Sequence, residues 1–361
     1  MSGRSVADSG NGRMARGALV LALTLFVACA KTGSDDPSPT PTPGGLTWID
    51  TQVLGHESGG IVIERVSYRS QGLKIWGEIC RPEDAKAHPV LLWNHGGFEG
   101  LGDGDRVACR SIARSGYVAV SSYYRGEGGS EGSVEVCKGE VDDVAAMLAI
   151  VKQQPYADPT RVAALGGSHG GCITMRLALR TPELRAAVDF FGPTDWAALH
   201  DWVAGQIAQG EPLCKQLGRT DCVAGHQRLL DDLRRALGGT PLQAPQAYAE
   251  RSPLQQMGQL TIPTLLIHGT DDVIVPLEQS CAKRAALTAA GRTVGSWNLT
   301  SGLRERSSST VCGGGFRSTS VLLAVAENYA FVVYEGQGHE LNDTVTTHAI
   351  ALSLAFVLPR L

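Results

Sequence analysis

The sequence predicts an α/β fold, a doubly wound and mostly parallel sheet with helices on both faces. From about residue 48 onward, short apolar runs alternate with longer segments of helical periodicity. The apolar runs are continuous rather than alternating, as is typical of parallel strands buried on both faces. Many of the runs end directly in Gly-rich polar loops, and ligands bind at this carboxyl edge in such sheets.

The individual elements follow in chain order. Near period-two spacing predicts two antiparallel strands, "GIVIERVSYRS" and "LKIWGEICRP". The predicted parallel strands are "PVLLWNHGG", "YVAVSSYYRG", "RVAALGGSHGG", "LRAAVDFFGP", "PTLLIHGTDD" and "YAFVVYEGQGHE". The predicted helices are "DRVACRSIARSG", "EVDDVAAMLAIVKQQ", "CITMRLALRTPEL", "LEQSCAKRAALTAAG" and "TVTTHAIALSLAFVL".

Two insertions interrupt this alternation. Residues 195–250 carry helical patterns and are interpreted as a lid, with Trp196, Trp202 and Leu213 available to line an apolar pocket; the alternative is a helical excursion that packs elsewhere. Residues 291–326 are Gly- and Ser-rich and predict a long loop, either functional or mobile, in which "VLLAV" is a candidate extra strand.

The N-terminus is predicted to be a targeting segment. Basic residues precede the apolar run "GALVLALTLFVAC", which is too short to span a bilayer and typical of a signal peptide over residues 1–28. "FVA" before Cys29 resembles a lipobox, so Cys29 is the candidate lipidation site, and residues 29–46 are a Pro/Ser/Thr-rich tether. The predicted location is a bacterial membrane facing the periplasm or exterior; the alternative is a secreted protein in which Cys29 is incidental.

Export also permits disulfides. The chain has nine cysteines, and eight remain when Cys29 is set aside. Cys214 with Cys222 is the first candidate pair and Cys281 with Cys312 the second; Cys172 is interpreted as a buried thiol. The spacing does not determine the connectivity.

The composition is that of a globular domain, predicted over residues 47–361. Apolar residues make up 43% and charged residues 19% of the chain, and the formal net charge is −4. The sequence has no basic stripe, so we expect no nucleic-acid partner. Neither a cofactor nor a metal ion is expected, and the oligomeric state is left open.

Ser168 is the candidate nucleophile. It lies in "GGSHGG", which matches G-x-S-x-G and joins a predicted strand to a predicted helix. A chain that turns this sharply passes close to itself, which explains the small neighbours of the serine.

A serine hydroxyl needs a base, and the base needs a carboxylate that orients it. In this architecture both partners follow the serine, the acid first. Asp271 and Asp272 both qualify, in the loop after "PTLLIHG". Of the histidines beyond that loop, His348 falls inside the last helix, whereas His339 lies between a strand and that helix and is the candidate base.

Acyl transfer also requires donors for the developing oxyanion. The turn "NHGGF" and the residue after the serine supply them, so the backbone N–H groups of Gly97 and His169 are the expected pair. His95 is interpreted as a residue that orients this turn.

Several motifs together resemble the catalytic domain of the prolyl oligopeptidase (S9-type) family of α/β-hydrolases. They are "HGG", "YRGEGGSEG", "EVDDVAAML", "GGSHGG", "FGPTDW", "SPLQQM", "PTLLIHGTDDVIVPLEQS" and "GQGHE", spread over residues 60–360. The resemblance implies an α/β-hydrolase fold, Asp272 rather than Asp271 as the catalytic acid, and a structural role for Arg125, paired with Asp142 or Asp143.

The chain also departs from that family. The segment before "PVLLWNHGG" is too short for the N-terminal propeller of the peptidases, and no acidic pair that would grip a peptide amino terminus is recognisable. We therefore expect a hydrolase of compact carboxylic esters, with peptidase activity on short peptides as the alternative. A non-catalytic binding protein on a hydrolase scaffold is the third reading.

Overall fold

The computed structural model describes residues 47–217, 219, 223–306, 311–317 and 319–361. The predicted signal peptide, the tether and Cys29 lie outside these residues and stay predictions. Cys222 also lies outside them, so its predicted pairing with Cys214 is untested.

The molecule is built on one ten-stranded sheet, as the sequence predicts. The strands are β1 (Asp50–Glu57), β2 (Ile61–Ser70), β3 (Leu73–Pro82), β4 (His88–Asn94), β5 (Val118–Ser122), β6 (Ala157–Gly167), β7 (Ala186–Phe190), β8 (Thr264–Gly269), β9 (Val294–Leu299) and β10 (Tyr329–Tyr334). Their spatial order is β1-β2-β3-β5-β4-β6-β7-β8-β10-β9. The pairings β1–β2, β2–β3 and β3–β5 are antiparallel. In the rest of this spatial order, from β5 across to β9, every pairing is parallel.

Helices cover both faces of the sheet. They are α1 (Asp103–Arg114), α2 (Gly139–Val151), α3 (His169–Arg180), α4 (Trp196–Gln216), α5 (Ala224–Leu237), α6 (Pro245–Arg251), α7 (Glu278–Ala289) and α8 (Asp343–Val357). Apolar residues of α2, α3 and α7 pack in one core cluster, and those of α1 and α8 pack in a second. Within the described residues, no helix has the length and hydropathy that a transmembrane span requires.

The two clusters explain why the central strands have no polar alternation. Val90 and Leu92 of β4 belong to the first cluster, whereas Leu91 between them belongs to the second. Successive side chains of a strand point to opposite faces, so a strand covered on both sides must be apolar at every position.

The second predicted insertion differs from the expectation. Residues 291–326 contain β9, which pairs with β10 at the edge of the sheet. The prediction that "VLLAV" is a strand was wrong, because Val321–Ala326 forms a 3₁₀ helix. Apolar residues in a run this short fit either conformation, since periodicity does not discriminate between them.

The first predicted insertion is helical. The helices α4, α5 and α6 all lie between β7 and β8 in the chain. Asp195 caps α4: its carboxylate accepts hydrogen bonds from the backbone N–H of Ala197 and Ala198 at 3.0 and 3.1 Å.

Candidate active site

Ser168 lies at the turn from β6 into α3, with backbone angles φ 54° and ψ −124°. Such a positive φ is strained for a residue with a side chain, and strain of this kind is held by surrounding contacts. The Ser168 N–H donates to the carbonyl oxygen of Phe190 at 2.9 Å, and its own carbonyl accepts the Gly171 N–H at 2.9 Å. Ser168, the candidate nucleophile, therefore occupies a strained turn that is hydrogen-bonded to β7 and α3.

The glycines around Ser168 are required by crowding. A Cβ atom at Gly166 would lie 2.3 Å from the carbonyl oxygen of Gly170, and one at Gly170 would lie 2.0 Å from that of Asn94. Both distances are far below van der Waals contact, so the predicted close passage of the chain past itself occurs here.

His339 and Asp272 form a hydrogen-bonded pair. The Nδ1–H of His339 donates to Oδ2 of Asp272 at 2.8 Å. Asp272 is buried, and its Oδ1 accepts the backbone N–H groups of Ile274 and Val275, each at 2.9 Å. The choice of Asp272 over Asp271 matches this geometry, because Asp271 is exposed and accepts the hydroxyl of Thr270 at 2.7 Å instead.

The charge of Asp272 is stabilised by two histidines. Burial alone would raise its pKa, but the hydrogen bonds from His268 and His339 outweigh burial and hold the pKa of Asp272 well below its usual value. The second histidine, His268, lies with Nε2 3.4 Å from Oδ2 of Asp272. Asp272 is thus ionised at physiological pH, as the carboxylate that orients a candidate base must be.

The two expected oxyanion donors lie beside Ser168. A Cβ atom at Gly96 would be 3.1 Å from the Cβ of Ser168, so the "HGG" turn passes directly over the serine. Gly97 has φ +72°, and His169 is the first residue of α3. Among the described residues, neither N–H donates to a turn, loop or side-chain acceptor, and the first N–H groups of a helix have no partner within it.

Ser168 and His339 line one cavity of about 400 Å³. No direct hydrogen bond joins them in this structure; such contacts are often long before substrate binds. The wall is mostly apolar, and its lining includes Phe98, Trp196, Leu199, Leu229, Ile274 and Val275. Of the three predicted pocket residues, Trp196 lies in this wall, and Trp202 and Leu213 do not. Trp202 donates its indole N–H to the Val273 carbonyl at 3.2 Å, and Leu213 is 57% exposed.

The remaining histidine beyond Asp272, His348, lies in α8. Its Nδ1 is 2.8 Å from the hydroxyl of Tyr334, away from the cavity that Ser168 lines.

Arg125 has the structural role that was expected for it. Its guanidinium forms two hydrogen bonds with Asp143, at 3.0 Å and 2.9 Å, and its backbone N–H donates to the same carboxylate at 2.9 Å. Of the two predicted partners, Asp143 is thus correct, and Asp142 accepts Arg180 at 2.7 Å instead.

His95 supports the "HGG" turn, as predicted. Its ring stacks on Tyr124 with centroids 4.1 Å apart, and its Nδ1 lies 2.9 Å from the Gly96 carbonyl oxygen. Burial lowers the pKa of His95 to about 4, so the ring is neutral at physiological pH.

One cysteine prediction was right and one was wrong. Cys281 and Cys312 form a disulfide, as proposed. Cys172 is not a free thiol, because it is bonded to Cys137, and Cys80 is bonded to Cys109. The apolar neighbours of Cys172 in the sequence suggested a buried thiol. Cys172 is indeed on the buried face of α3, but the loop before α2 packs on the same face and brings Cys137 to it.

Sequence reasoning also missed a buried ion pair near the turn that carries Ser168. Lys283 of α7 contacts the carboxylate of Asp189 and the carbonyl of Gly192, and both charged side chains are fully buried. Asp189 in turn accepts the Gly192 N–H at 2.8 Å. A lone lysine in a helix and an aspartate in a strand carry no sequence signal of such a pair.

The fold and this site define a class of protein, a serine hydrolase on an α/β-hydrolase scaffold. The model of the X-Pro dipeptidyl-peptidase (S15) family matches residues 71–300. The chain belongs to that family, and the enzyme class predicted from the motifs is confirmed by its homologues.

One curated relative and two solved structures illustrate what the chain is similar to. The uncharacterized peptidase YtmA of Bacillus subtilis is 24% identical over 64% of this chain and 82% of its own length. An acylaminoacyl peptidase of Pyrococcus horikoshii has a TM-score of 0.56 at 17% identity, over 82% of this chain and 42% of its own. Acetyl xylan esterase 1 of a Thermoanaerobacterium species has a TM-score of 0.55 at 16% identity, over 85% of this chain and 87% of its own.

The relatives differ greatly in length. The chain spans 33% of one further curated relative and 26% of another. The two structural likenesses establish the α/β-hydrolase fold, which confirms the fold class predicted from the sequence. The predicted resemblance to peptidases of the prolyl oligopeptidase type is supported by the family match and by the curated relatives.

Proposed function

We propose that the protein is an exported serine hydrolase that cleaves carboxylic esters through an acyl-enzyme. The observation that carries the proposal is the His339–Asp272 pair, whose histidine lines the same apolar cavity as the strained Ser168. An apolar wall of this kind suits a compact acyl group better than an extended polar chain.

The proposed reaction uses five residues. Ser168 Oγ attacks the carbonyl carbon of the ester while His339 Nε2 takes its proton, and Asp272 stabilises the resulting imidazolium. The N–H groups of Gly97 and His169 bind the oxyanion of the tetrahedral intermediate. His339 then protonates the leaving alkoxide, and the same histidine activates the water that releases the acid from Ser168.

Peptidase activity on short peptides is the second candidate. A larger cavity of about 1000 Å³ adjoins the first and shares Gly96, Gly97, Phe98 and Asp232 with it. Its wall is mixed polar and apolar, and its charged residues include Glu99, Glu135 and Arg235. A chain that extends beyond the scissile bond fits this second space, and two of the relatives are peptidases by name.

The two candidates are separated by substrate profiling of the purified chain. We expect p-nitrophenyl esters with short acyl chains to be hydrolysed with a higher kcat/KM than the p-nitroanilides of single amino acids and dipeptides. A higher kcat/KM on the dipeptide anilides would favour the peptidase. If the purified chain hydrolyses neither substrate class, the proposal as a whole is contradicted.

We further propose that α4 and α5 form a lid that limits the size of the acyl group. Both helices contribute to the cavity wall, α4 through Trp196 and Leu199 and α5 through Gly225, Leu229 and Asp232. A segment inserted after β7 starts at the carboxyl edge of the sheet, where Ser168 also lies.

Gly225→Leu tests the lid. Gly225 lines the cavity, and a Cβ atom there would meet no described atom within 4 Å, so a larger side chain can begin at this position without a clash. We expect kcat/KM for octanoate relative to acetate p-nitrophenyl esters to fall about tenfold or more, since pocket contacts discriminate at roughly 1–3 kcal/mol per methylene.

Gly205→Leu is the matched control. Gly205 lies in the neighbouring helix α4, has equally open space in the described part of the chain, and is not part of the cavity wall. The chain-length ratio should not change in this variant. An unchanged ratio in Gly225→Leu as well would show that the helices do not select the acyl group.

Export and anchoring through Cys29 complete the proposal. They are supported by the apolar run, the "FVAC" motif and the Pro-rich spacer. In a bacterial expression host, a fatty-acid analogue should label the wild type and not Cys29→Ser, and the wild type alone should sediment with membranes. Equal release of both forms into the soluble fraction would show that Cys29 is incidental and the protein secreted.

A further inference from the structure

The imidazole of His169 lies between two loops that approach the nucleophile from different parts of the chain. His169 directly follows Ser168, and only 2% of its surface is exposed. The backbone N–H of Cys137 donates to its Nε2 at 2.8 Å, and its Nδ1 is 3.2 Å from the carbonyl oxygen of Gly97. The side chain thus bridges the loop before α2 and the "HGG" turn.

These contacts determine the state of the ring. A backbone N–H can only donate, so Nε2 is the acceptor and the proton of the neutral ring lies on Nδ1, from which it is donated to Gly97. Burial lowers the pKa of His169 to about 4, which keeps this neutral form at physiological pH. The edge-on rings of Phe98 and Trp196, 4.9 and 6.1 Å away between centroids, enclose the imidazole.

The His169 ring contacts the carbonyl of Gly97, a residue with an unusual backbone conformation. Its φ of +72° is a conformation that glycine adopts without preference, and an added Cβ would touch no described atom within 4 Å. The side of Gly97 on which a Cβ would lie is therefore open, and the hydrogen bond from His169 Nδ1–H restrains its carbonyl. The N–H of the same residue is the expected oxyanion donor.

The other end of the bridge is anchored covalently. Cys137 forms a disulfide with Cys172, which lies one helical turn after Ser168 in α3. The same loop is held by Glu140, whose carboxylate accepts the N–H groups of Val136 and Lys138, each at 3.0 Å. The Cys137 N–H consequently has a fixed position relative to the nucleophile turn.

We propose that His169 is a positioning residue whose imidazole holds the Gly97 oxyanion donor over Ser168, and that the Cys137–Cys172 disulfide holds the Cys137 amide that orients this ring. The proposal rests on the proposed function, because it assigns the Gly97 N–H to the oxyanion. It adds a role for the side chain of a residue whose backbone alone is expected to act.

His169→Phe and His169→Gln test the imidazole. Phenylalanine keeps an aromatic ring without hydrogen bonds, and glutamine restores one acceptor and one donor. On p-nitrophenyl acetate we expect kcat of the Phe variant to fall about 10- to 100-fold with KM within about twofold, because the oxyanion contact exists only in the transition state. The Gln variant should recover most of that loss. An unchanged kcat in the Phe variant, or equal kcat losses in both, would overturn the proposal.

The disulfide is tested by two matched double variants. Cys137→Ser/Cys172→Ser removes a bridge that spans 35 residues, and Cys80→Ser/Cys109→Ser removes one that spans 29 on the other side of the sheet. Loops of such similar length give similar entropic stabilisation, so any loss of stability should be comparable. Measured below the melting transition of both, kcat should fall at least fivefold in the first variant alone. Equal kcat values in the two variants would refute the role of this disulfide.

Failure of this inference is distinguishable from failure of the proposed function. The proposed function is tested by turnover of the wild type, whereas the inference is tested by variant-to-wild-type ratios. If the wild type cleaves dipeptide anilides instead of esters, the ester proposal fails, and the same ratios measured on the anilide still test His169.

Discussion

Replacement of Ser168 by alanine should lower kcat for p-nitrophenyl esters by about 10⁴- to 10⁶-fold and abolish labelling by a fluorophosphonate probe. The hydroxyl is the only group in the proposed mechanism that becomes covalently bonded to the substrate, so no neighbour replaces it. The fold should be unaffected, because the turn is held by backbone hydrogen bonds to Phe190 and Gly171, which alanine retains. Circular dichroism and thermal melting check this.

Ser111→Ala is the control for Ser168→Ala. Ser111 lies in α1, where its hydroxyl donates to the Val107 carbonyl at 2.8 Å, and it is not part of the cavity wall. This variant should label and turn over like the wild type. Persistent labelling of a folded Ser168→Ala variant would show that another residue is the nucleophile.

Much of the fold and of the site was predictable because two local signals have little ambiguity. Continuous apolar runs predict strands buried on both faces, and the two core clusters that share β4 show why. Crowding at the nucleophile turn admits only small residues, so Gly166 and Gly170 mark Ser168 without any tertiary information. The order of the loops then leaves His339 as the candidate base.

What the sequence did not reveal depends on contacts between distant segments. Cys137 and Cys172 are brought together by the packing of the loop before α2 against α3, and nothing in their spacing separates this pair from the alternatives. The pocket residues failed for a similar reason. Helical periodicity gives a helix an apolar face, but it does not tell which turn of α4 reaches the cavity, so Trp196 was predicted correctly and Leu213 was not.

The strand β9 shows a third kind of limit. Val294–Leu299 contains glycine, serine and asparagine, which are poor strand formers, yet it pairs with β10 along its whole length. The backbone of β10 offers a free edge at that point, and pairing with it overrides the local preference. Sequence periodicity reports what a segment prefers alone, and it therefore misses strands that tertiary pairing imposes.

Asp272→Asn should lower kcat on p-nitrophenyl esters by about 10⁴-fold with little change in KM. We expect this loss because the contacts of the two Asp272 carboxylate oxygens fix how an asparagine would be oriented. Oδ1 accepts the N–H groups of Ile274 and Val275, so the carbonyl oxygen of an asparagine must take that position. Its NH₂ group then faces His339 Nδ1, which can no longer donate there. The imidazole is forced to carry its proton on Nε2, the nitrogen that must accept the proton of Ser168.

The neighbouring carboxylate provides the matched control for this last prediction. Asp271→Asn makes the same chemical change one residue away, on an exposed side chain that accepts the Thr270 hydroxyl at 2.7 Å. Its kcat should stay within about twofold of the wild type, since exposed substitutions rarely disturb the fold. Comparing kcat of both variants at equal active-site concentration, and their melting temperatures, separates catalysis from stability. The contrary result would be a folded Asp272→Asn variant with wild-type kcat and an inactive Asp271→Asn variant. It would show that Asp271 orients His339 and that the His339–Asp272 hydrogen bond has no role in catalysis.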